Sequence, residues 1–471
     1  MRLSDLVPDA PYAAISGLVI DHRKVAPGTI FGAFQGARVN GEDYIAKAVA
    51  AGAVAIVARA QAKVEGAFHI ASDNPRKTFA ELAARYSAPF PHHLAAVTGT
   101  NGKTSTVELA RQVWRIMGLH SASIGTLGIT TADEQTVTGL TTPDVATFLS
   151  NLAGLEREGV SHVAFEASSH GLDQYRVAGI QVEAAAFTNL SRDHLDYHGT
   201  MEDYFAAKMR IFSDLLSPDG TAVIWADDAW SDQAIAFAEG QKRRVFTVGT
   251  KGVGLRLVER TVSHLGQSLI VEAHGKSYKI ILPLIGAYQV ANALTAAGLV
   301  MACGADVAAT LAALGRVQGV KGRLERAVIT KAGAPVYVDY AHTPDALEAA
   351  IAALRPHCDG RVVLVFGAGG DRDTGKRALM GAVAARDANF AIITDDNPRT
   401  EDPDSIRAAI ATAASDALNI GDRRSAIAAA VEEAKSGDII LIAGKGHETG
   451  QEVNGIKLPF SDVDVAREVA A

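Results

Sequence analysis

The chain has 471 residues, of which 48% are hydrophobic and 21% are charged, and its formal net charge is −8. This composition is typical of a soluble globular protein, and the length predicts about three domains of roughly 150 residues each. The negative charge and the lack of a Lys/Arg run argue against a nucleic-acid partner, and two distant cysteines exclude a disulfide scaffold or a Cys-rich zinc site.

The sequence also contains no signal for export or membrane insertion. The first residues do not combine a cationic segment with an apolar core, as a signal peptide would. No apolar run reaches the length of a membrane-spanning helix. Together with the low cysteine content, these features predict a cytoplasmic protein that does not associate with a membrane.

Residues 1–88 are predicted to form a small α/β domain. Its three strands and two helices are predicted at 15–20, 29–34, 53–58, 44–51 and 75–86. This part of the sequence contains no phosphate-binding loop. The stretch 87–91 includes Pro89 and Pro91, which indicates a linker to the next domain.

An apolar strand at 94–97 is followed by a glycine-rich turn and then by a helical pattern from 105 to 117. Strand, turn and helix in this order are the setting of a phosphate-binding loop, in which backbone N–H groups and the helix N-terminus bind phosphate. Lys103 can reach the β- and γ-phosphates, and the Thr104 hydroxyl can ligate Mg²⁺. The common loop has a glycine where this chain has Val97, so the loop is a shorter form.

Residues 89–322 alternate apolar runs with helical patterns, which predicts a mostly parallel, doubly wound sheet. A predicted strand at 160–166 ends in Glu166, and ligands bind outside the carboxyl ends of such strands. We therefore favour a Mg²⁺-directed carboxylate over a helix cap at this position. We also expect Pro143 to occupy the first position of a helix, and 221–273 to contain mostly strands and loops.

The segment 187–199 follows another predicted strand and is dense in ionisable groups. His194 and His198 are four residues apart, a spacing that on a helix would suggest zinc, but Gly199 and the turn-like composition weaken that interpretation. A contact between a single histidine and Mg²⁺ is favoured instead. Lys208 falls on an amphipathic helix, where its position alone predicts an exposed lysine.

Residues 323–471 contain four apolar runs that each lead into a cluster of polar residues. These predicted strands are 334–339, 361–366, 390–394 and 438–443. The clusters would meet at one edge of an open α/β sheet, which predicts a pocket suited to a zwitterion. Its members would be Arg372, Asp396, Arg399 and Glu448. The glycine-rich turn after the second strand lacks the G-x-G-x-x-G spacing, which disfavours a dinucleotide cofactor.

The short loop GTNGKT resembles the ATP loop of the Mur ligases and of folylpolyglutamate synthetase, which form amide bonds through an acyl phosphate. Further motifs narrow the resemblance to one branch of the Mur ligases. These are LTTPD, EASSHGLDQYR, TNLSRDHLDYHG, the YFAAK lysine and DNPR, in that order along the chain. The branch in question adds meso-diaminopimelate to UDP-N-acetylmuramoyl-L-alanyl-D-glutamate.

The resemblance covers all three predicted domains and implies a role for each. Residues 1–88 would bind the UDP end of the substrate, and residues 89–322 would be a central, P-loop ATPase-like domain with a doubly wound sheet. Residues 323–471 would be a Rossmann-like α/β domain that binds the amino acid. The resemblance also implies ATP, Mg²⁺ and the UDP-dipeptide as ligands, and a monomeric enzyme of peptidoglycan precursor synthesis.

The resemblance also assigns individual residues of the central chemistry. The catalytic residues would be Lys103, Glu166, His194, Lys208 and Arg323. ATP would bind at Gly99, Thr100, Asn101, Gly102, Lys103, Thr104, Asn292, Arg323 and Asp339. Mg²⁺ would bind to Thr104, Glu166, His194 and Lys208. Lys208 would act there as N6-carboxylysine, since a desolvated neutral amine can capture CO₂ to give an anionic carbamate.

The substrate residues follow from the same resemblance. The UDP-dipeptide would bind at Ile20, His22, Ala37, Arg38, Val39, Thr141, Thr142, Ser168, Gln174 and Arg176. His22 stands where the family usually has serine, so the uridine contact at that position stays open. Diaminopimelate would bind at Arg372, Asp396, Asn397, Pro398, Arg399, Gly444 and Glu448.

DNPR, residues 396–399, resembles the motif of ligases that add diaminopimelate rather than lysine. Arg399 can bind the second carboxylate of diaminopimelate in a bidentate manner, while Asp396 and Glu448 can take the distal ammonium group. A site that pairs with a charged group rejects an analogue lacking it, because its own groups are left unpaired. Two alternatives stay open, namely another amino-acid-adding ligase and an ATP-driven switch without enzymatic activity.

Overall fold

The computed structural model describes residues 1–36, 39–132, 134–136 and 141–471. These residues form two compact units, each built from two stretches of the chain. The first unit consists of Met1–Arg256 and Leu294–Thr310, and the second consists of Leu257–Ala293 and Leu311–Ala471. Within the described ranges, no helix combines the length and the apolar character needed to cross a membrane.

The first unit begins with a parallel sheet of four strands that lie side by side in chain order. Its strands are β1 (Gly17–Val19), β2 (Thr29–Gly32), β3 (Ala55–Ala58) and β4 (Phe68–Ala71), and its helices are α1 (Leu3–Leu6), α2 (Ile45–Ala50) and α3 (Pro75–Ser87). Buried Phe79 packs α3 against the sheet. The predicted elements are confirmed with shifted ends, but β4 was not predicted because its short sequence, FHIA, lacks a periodic signal.

The rest of the first unit is organised around a larger sheet with the order β8-β7-β6-β9-β5-β10-β11-β12. Its strands are β5 (His93–Thr98), β6 (Ser121–Gly125), β7 (Gly128–Thr130), β8 (Gln135–Thr136), β9 (His162–Glu166), β10 (Val182–Phe187), β11 (Leu216–Trp225) and β12 (Arg244–Gly249). Six neighbouring strands are parallel, and β7 and β8 add an antiparallel edge. The predicted mostly parallel sheet is therefore confirmed.

The helices of this part of the chain are α4 (Lys103–Ile116), α5 (Val145–Arg157), α6 (Ser169–Asp173), α7 (Leu195–His198), α8 (Met201–Arg210) and α9 (Ser231–Gly240). Three elements contribute residues to both units, namely β13 (Leu255–Ser263), α10 (Ala287–Ala302) and α11 (Val307–Leu314).

Parallel pairing brings the predicted functional segments to one edge of the larger sheet. Val97 of β5 pairs with Glu166 of β9, and Thr98 pairs with Phe187 of β10. The loop after Thr98, the segment after Phe187 and the Glu166 side chain therefore all start at the carboxyl edge, where ligands bind in open α/β sheets.

One local prediction for this unit is wrong. α5 begins at Val145 and is capped by Asp144, whose carboxylate accepts a 3.1 Å hydrogen bond from a backbone N–H of the first turn. Pro143 therefore lies before the N-cap residue instead of in the first turn. The helix begins after Asp144 because the Asp144 carboxylate can accept a hydrogen bond from a free backbone N–H group, which a proline side chain cannot do. The stretch 221–273 consists mostly of strands and loops, as predicted, and it also contains the helix α9, whose buried positions are mostly small and gave only a weak periodic signal.

The second unit contains an antiparallel pair, a six-stranded sheet and a hairpin. The pair is β14 (Gly266–Ala273) with β15 (Lys276–Leu282), and the sheet has the order β16-β17-β21-β18-β19-β20. Its strands are β16 (Glu325–Ile329), β17 (Pro335–Asp339), β18 (Val362–Phe366), β19 (Phe390–Ile393), β20 (Leu418–Asn419) and β21 (Ile439–Ala443), and the hairpin is β22 (Gly450–Val453) with β23 (Ile456–Pro459). The helices are α12 (Pro344–Leu354), α13 (Lys376–Asp387), α14 (Pro403–Ala411), α15 (Arg423–Glu433) and α16 (Asp462–Ala470).

Alternate side chains of this sheet enter two separate hydrophobic cores. In β18, Leu364 and Phe366 join the core that contains α12, α13 and α14, whereas Val363 and Val365 join the core that contains α15 and α16. A period of two with both sets buried is the pattern of a strand covered by helices on both faces. The four predicted strands are confirmed as β17, β18, β19 and β21, and they run parallel to one another.

Candidate active site

Two lysines meet at the phosphate-binding loop. Lys103 Nζ donates hydrogen bonds of 2.8 Å to Gly99 O and Thr100 O, and Lys208 Nζ donates a third hydrogen bond of 2.8 Å to Gly99 O. Lys208 is only 1% exposed, so the expectation of a surface lysine, based on its helix position alone, is wrong. Burial and the neighbouring Lys103 charge hold the pKa of Lys208 well below its usual range. This lowered pKa favours the neutral form of the Lys208 amine.

The loop itself is shaped by the segment that follows β10. Gly99 has a φ of +149°, and a Cβ at this position would collide with the Thr188 hydroxyl. Thr188 Oγ1 donates a 2.6 Å hydrogen bond to Asn101 O, and Asn189 Oδ1 accepts one of 2.9 Å from Asn101 N. Thr188 and Asn189 were not among the predicted site residues, although their position directly after a core strand was a usable signal.

Glu166 presents a buried carboxylate at the end of β9. It is 2% exposed, and its Oε1 accepts a 2.7 Å hydrogen bond from Thr126 N. The Thr126 hydroxyl lies 3.3 Å from Glu166 Oε2 and 3.0 Å from the Thr141 hydroxyl. These contacts fix the carboxylate at the carboxyl edge of the sheet, beside the residues predicted to hold the UDP-dipeptide.

The side chains gathered here fit Mg²⁺ in part. Mg²⁺ prefers oxygen ligands, and the buried Thr104 hydroxyl and Glu166 carboxylate supply them. His194 is half exposed, and its ring centroid lies 5.0 Å from that of His170 and 6.1 Å from that of Tyr204. Lys208 could join such a ligand set only as a carbamate, because an amine held by Gly99 O offers no anionic oxygen.

Four of the residues predicted to bind the UDP-dipeptide are connected to one another in the structure. The Thr142 hydroxyl donates to Glu166 O at 3.0 Å and lies 3.0 Å from Ser168 Oγ. The Arg176 guanidinium donates to Thr142 O at 3.1 Å and to Gln174 Oε1 at 2.8 Å. The sequence motifs LTTPD and EASSHGLDQYR are thus parts of one continuous hydrogen-bonded surface.

The structure describes three of the five residues predicted to contact the uridine end of the substrate. His22 stacks on Tyr44 with ring centroids 4.1 Å apart, and Ile20 packs against the hydrophobic core. Val39 is exposed. Ala37 and Arg38 lie outside the residues that the structure describes.

Arg76 is a candidate site residue that the sequence analysis did not identify. It lies in the first turn of α3, donates a 3.0 Å hydrogen bond to Gln35 O and stands 5.0 Å from the Phe34 ring centroid. Burial lowers the pKa of Arg76, and the nearby Arg176 lowers it further. Among the residues that the structure describes, neither guanidinium pairs with a carboxylate. No sequence motif marked Arg76, because its proximity to Arg176 arises only from folding.

In the second unit, the residues predicted to bind ATP are linked through the backbone near Arg323. Asn292 Nδ2 donates to Gln289 Oε1 at 3.2 Å, and Gln289 Nε2 donates to Arg323 O at 2.9 Å. Asp339 is buried at the end of β17, and its Oδ2 accepts a 2.7 Å hydrogen bond from Leu324 N. Burial raises the pKa of Asp339, although the nearby Arg323 opposes that effect. Asp339 thus holds the backbone that carries Arg323.

The DNPR loop is organised by Lys445, another residue that the sequence analysis did not identify. Lys445 is fully buried, and its Nζ donates to Asn397 Oδ1 at 2.9 Å and to Glu448 Oε2 at 3.2 Å. Asp396 Oδ1 lies 3.8 Å from the same Nζ. Asn397 also donates a 2.9 Å hydrogen bond to Glu448. One buried ammonium group is therefore shared by two carboxylates.

The remaining predicted diaminopimelate residues lie around this loop, with one at the surface. Arg399, at a φ of +52°, donates to Gly370 O at 2.7 Å and lies 3.3 Å from Glu452 Oε2. Gly444 is required as glycine, since its φ is +119° and a Cβ would lie 2.6 Å from Asp396 Oδ2. Pro398 separates Asn397 from Arg399 in the loop, and Arg372 is exposed.

Replacing Lys445 with methionine should destabilise the second unit. The two neighbouring carboxylates would lose their buried counter-charge, and breaking such a pair costs about 3–5 kcal/mol. We expect a clearly lower denaturant midpoint for Lys445→Met. The exposed Lys457 of the adjacent hairpin provides the matched control, and Lys457→Met should leave the midpoint unchanged. Equal midpoints for the two variants would contradict a structural role for Lys445.

The first unit contains a phosphate-binding loop, a buried carboxylate and a buried lysine, and the second contains a polar pocket at its strand ends. Fold and site together are those of an ATP-dependent ligase. Three family models match successive parts of the chain. They are the Mur ligase family catalytic domain at residues 14–99, the Mur ligase middle domain at 97–300 and the Mur ligase glutamate ligase domain at 322–446. The chain belongs to the Mur ligase family.

Individual relatives extend along nearly the whole chain. A protein of Zymomonas mobilis subsp. mobilis called UDP-N-acetylmuramoyl-L-alanyl-D-glutamate–2,6-diaminopimelate ligase is 57% identical over 458 residues, covering 96% of this chain and 94% of the relative. A protein of the same name from Bradyrhizobium diazoefficiens is 50% identical over 473 residues, covering 98% and 97%. A solved structure with that name matches with a TM-score of 0.77 at 34% identity, covering 100% of this chain and 98% of the other.

Proposed function

We propose that the protein catalyses the ATP-dependent addition of meso-diaminopimelate to the D-glutamate of UDP-N-acetylmuramoyl-L-alanyl-D-glutamate. Relatives with this activity in their names match nearly the whole chain. The observation that carries the choice of amino acid is the DNPR loop. Arg399 lies in this loop, next to a pocket in which one buried lysine is shared by two carboxylates. Such a pocket suits a zwitterion that has an additional carboxylate.

The reaction proceeds in two steps. The γ-carboxylate of D-glutamate attacks the γ-phosphate of ATP, which gives an acyl phosphate and ADP. The uncharged amine of diaminopimelate then attacks the acyl carbon, and a tetrahedral intermediate collapses to the amide with loss of phosphate and a proton. Backbone N–H groups of the loop 99–104 hold the phosphates, and Lys103 and Arg323 neutralise charge that develops on the transferred phosphoryl group.

Mg²⁺, when bound, supplies further charge neutralisation at the phosphates. The residues that would hold it are Thr104, Glu166, His194 and carbamylated Lys208. The lysine is prepared for this modification by its surroundings, since burial and Lys103 favour the neutral amine that attacks CO₂. The attack forms a nitrogen–carbon bond and releases one proton, and it converts the neutral amine into an anion beside the metal ligands.

The domain roles are part of the same proposal. Residues 1–88 bind the UDP end, 89–322 bind ATP, and 323–471 bind the amino acid. The family matches at 14–99, 97–300 and 322–446 support these limits.

Arg76 extends the proposed binding surface for the UDP-dipeptide. Two half-buried guanidinium groups without a carboxylate partner among the described residues favour an anionic ligand, and the UDP-dipeptide carries a diphosphate and carboxylates. We expect Arg76→Met to raise the KM for the UDP-dipeptide by about 10–100-fold with a smaller effect on kcat, as loss of one charge-assisted contact predicts. Arg85→Met, at an exposed position of the same helix, is the control. An unchanged KM, or an equal rise in both variants, would exclude Arg76 from the site.

The proposed function is tested by measuring ADP release with a panel of amino acids. We expect no sustained release with ATP and Mg²⁺ alone, because the phosphate acceptor is the dipeptide carboxylate rather than water. Release should require the UDP-dipeptide and be fastest with meso-diaminopimelate, with L-lysine a poor substrate. Rapid hydrolysis with ATP and Mg²⁺ alone would instead support an ATP-driven switch.

A further inference from the structure

A second cluster of ionisable side chains lies at the opposite edge of the larger sheet. His93 is the first residue of β5, and Glu183 is the second residue of β10. Because β5 and β10 are parallel neighbours, both side chains lie at the amino edge, whereas the phosphate-binding loop follows the carboxyl end of β5. Five residue steps at about 3.3 Å each put this cluster about 17 Å from the loop.

The cluster has the composition and spacing of a metal site. His93 Nδ1 lies 2.8 Å from Glu183 Oε2, and His92 precedes His93 at the surface. One potential ligand atom from each of the three residues lies within 4.8 Å of the other two. Two imidazoles and one carboxylate are a ligand set for Zn²⁺ or Ni²⁺ rather than for Mg²⁺, which prefers oxygen ligands.

Neighbouring side chains hold two of these ligands in place. His162 of β9 stacks on His93 with ring centroids 4.3 Å apart, and its Nδ1 lies 2.8 Å from Ser161 Oγ. The buried thiol of Cys303 interacts with the Glu183 carboxylate. An S–H group can donate to a carboxylate and orient it, as outer-shell groups do in metal sites.

We propose that His92, His93 and Glu183 form a binding site for a divalent transition-metal ion of the Zn²⁺ and Ni²⁺ class. The site is separate from the catalytic edge and uses none of the residues proposed for ligation. His92 is exposed and can turn its ring to complete the ligand set, while His93 and Glu183 are already in contact. A bound ion would replace the direct contact between His93 and Glu183.

The structure provides an internal reporter of this site. The Trp114 ring centroid lies 5.2 Å from that of His162, which itself stacks on His93. Ni²⁺ is paramagnetic and quenches nearby indole fluorescence. We expect titration of the full chain with Ni²⁺, in excess Mg²⁺, to give a saturable quench that is absent in Trp114→Phe. Calorimetry should still detect Ni²⁺ binding to Trp114→Phe.

Variants of the ligands test the assignment directly. His92→Ala and Glu183→Gln should each weaken Ni²⁺ binding by on the order of 100-fold, the upper end of losses for groups that support a metal site. His92 is exposed, so we expect its replacement to leave the fold intact. His92→Ala should also leave ligase activity in Mg²⁺ unchanged.

Two controls complete the experiment. His274→Asn alters an exposed histidine at a positive φ that asparagine tolerates, and it should keep the full quench. His194→Ala removes a histidine at the catalytic edge and should keep the quench as well. Unchanged affinity in both His92→Ala and Glu183→Gln, or an equal loss in His274→Asn, would overturn the proposal and leave His93 and Glu183 as a simple ion pair.

Discussion

Replacing Lys208 with alanine is expected to lower kcat for ligation by at least about 10²–10³-fold, the usual cost of removing one preorganised electrostatic group from an active site. In the proposed mechanism the Lys208 carbamate is an anionic ligand that no other side chain replaces. ADP release under saturating UDP-dipeptide and diaminopimelate measures the loss. Full activity of the variant would contradict the carbamate role.

Chemical rescue distinguishes a missing carbamate from a damaged fold. Acetate or formate, added to Lys208→Ala, can enter the space of the lost side chain and supply a carboxylate at the same position. We expect partial recovery of ligation, with saturation in the added acid. The same acids should not rescue Lys103→Ala, because the lost group there is a cation that binds phosphate. Equal rescue of both variants would point to a nonspecific salt effect.

Lys208→Met provides a matched control for stability. Gly99 O also accepts a hydrogen bond from Lys103, so removing the Lys208 amine leaves no unsatisfied acceptor at that carbonyl. The variant also avoids the cost of burying an amine. We therefore expect Lys208→Met to lose activity while keeping, or raising, its Tm near neutral pH.

The pH dependence of stability gives an independent check on the buried amine. The pKa of Lys208 is lowered in the folded state from its ordinary value of 10.5, mainly by burial and then by Lys103. Between the folded and unfolded pKa values, the unfolded chain binds more protons, so stability rises with pH up to about 10.5. Lys208→Met should lack this contribution. Parallel Tm–pH profiles for the two proteins would show that Lys208 remains charged in the fold.

Arg399→Ala is expected to weaken the use of diaminopimelate selectively. Arg399 lies in the loop with Asn397 and has no predicted role with ATP or with the UDP-dipeptide. Loss of a buried, charge-assisted bidentate contact costs about 2–5 kcal/mol, which corresponds to roughly tens- to thousands-fold in apparent affinity. The measurement is kcat/KM for diaminopimelate divided by kcat/KM for lysine, which should fall sharply in the variant.

Two controls separate recognition from loop structure. Glu452→Gln removes the charge 3.3 Å from Arg399 Nε but leaves the guanidinium in place, so diaminopimelate should still be preferred. Arg386→Ala removes an exposed arginine that pairs with Glu348 and Asp387 in the same unit, and it should leave the ratio unchanged. An equal loss for both amino acids in Arg399→Ala would mean that Arg399 only holds the loop.

The sequence by itself determined the features that depend on local order. The apolar run before Gly99 and the helical pattern after Lys103 were sufficient to predict a phosphate-binding loop, because strand, turn and helix are contiguous in the chain. The four strands of the last part were likewise predictable, since each is a buried apolar run followed by polar residues. Parallel pairing then makes convergence at one edge a geometric consequence.

Only the tertiary structure decided which of these residues share an environment. Lys208 and Gly99 are separated by 109 positions, and their contact depends on how α8 packs beside the loop. That packing, rather than the sequence around Lys208, removes water from the amine and shifts its pKa. Lys445 was overlooked for the same reason, because its partner Asn397 lies 48 positions away on another strand end.

The proposed roles of Arg76 and of the cluster around His93 were not marked by any sequence motif, because both depend on tertiary contacts. Arg76 approaches Arg176 only because α3 packs beside the turn that follows α6, where Asn74 donates a 2.7 Å hydrogen bond to Tyr175. His93 meets Glu183 only because β5 and β10 are neighbours in register. Local sequence encodes strand and helix periods, whereas the order of strands and the packing of helices fix which distant charges come together and how much water reaches them.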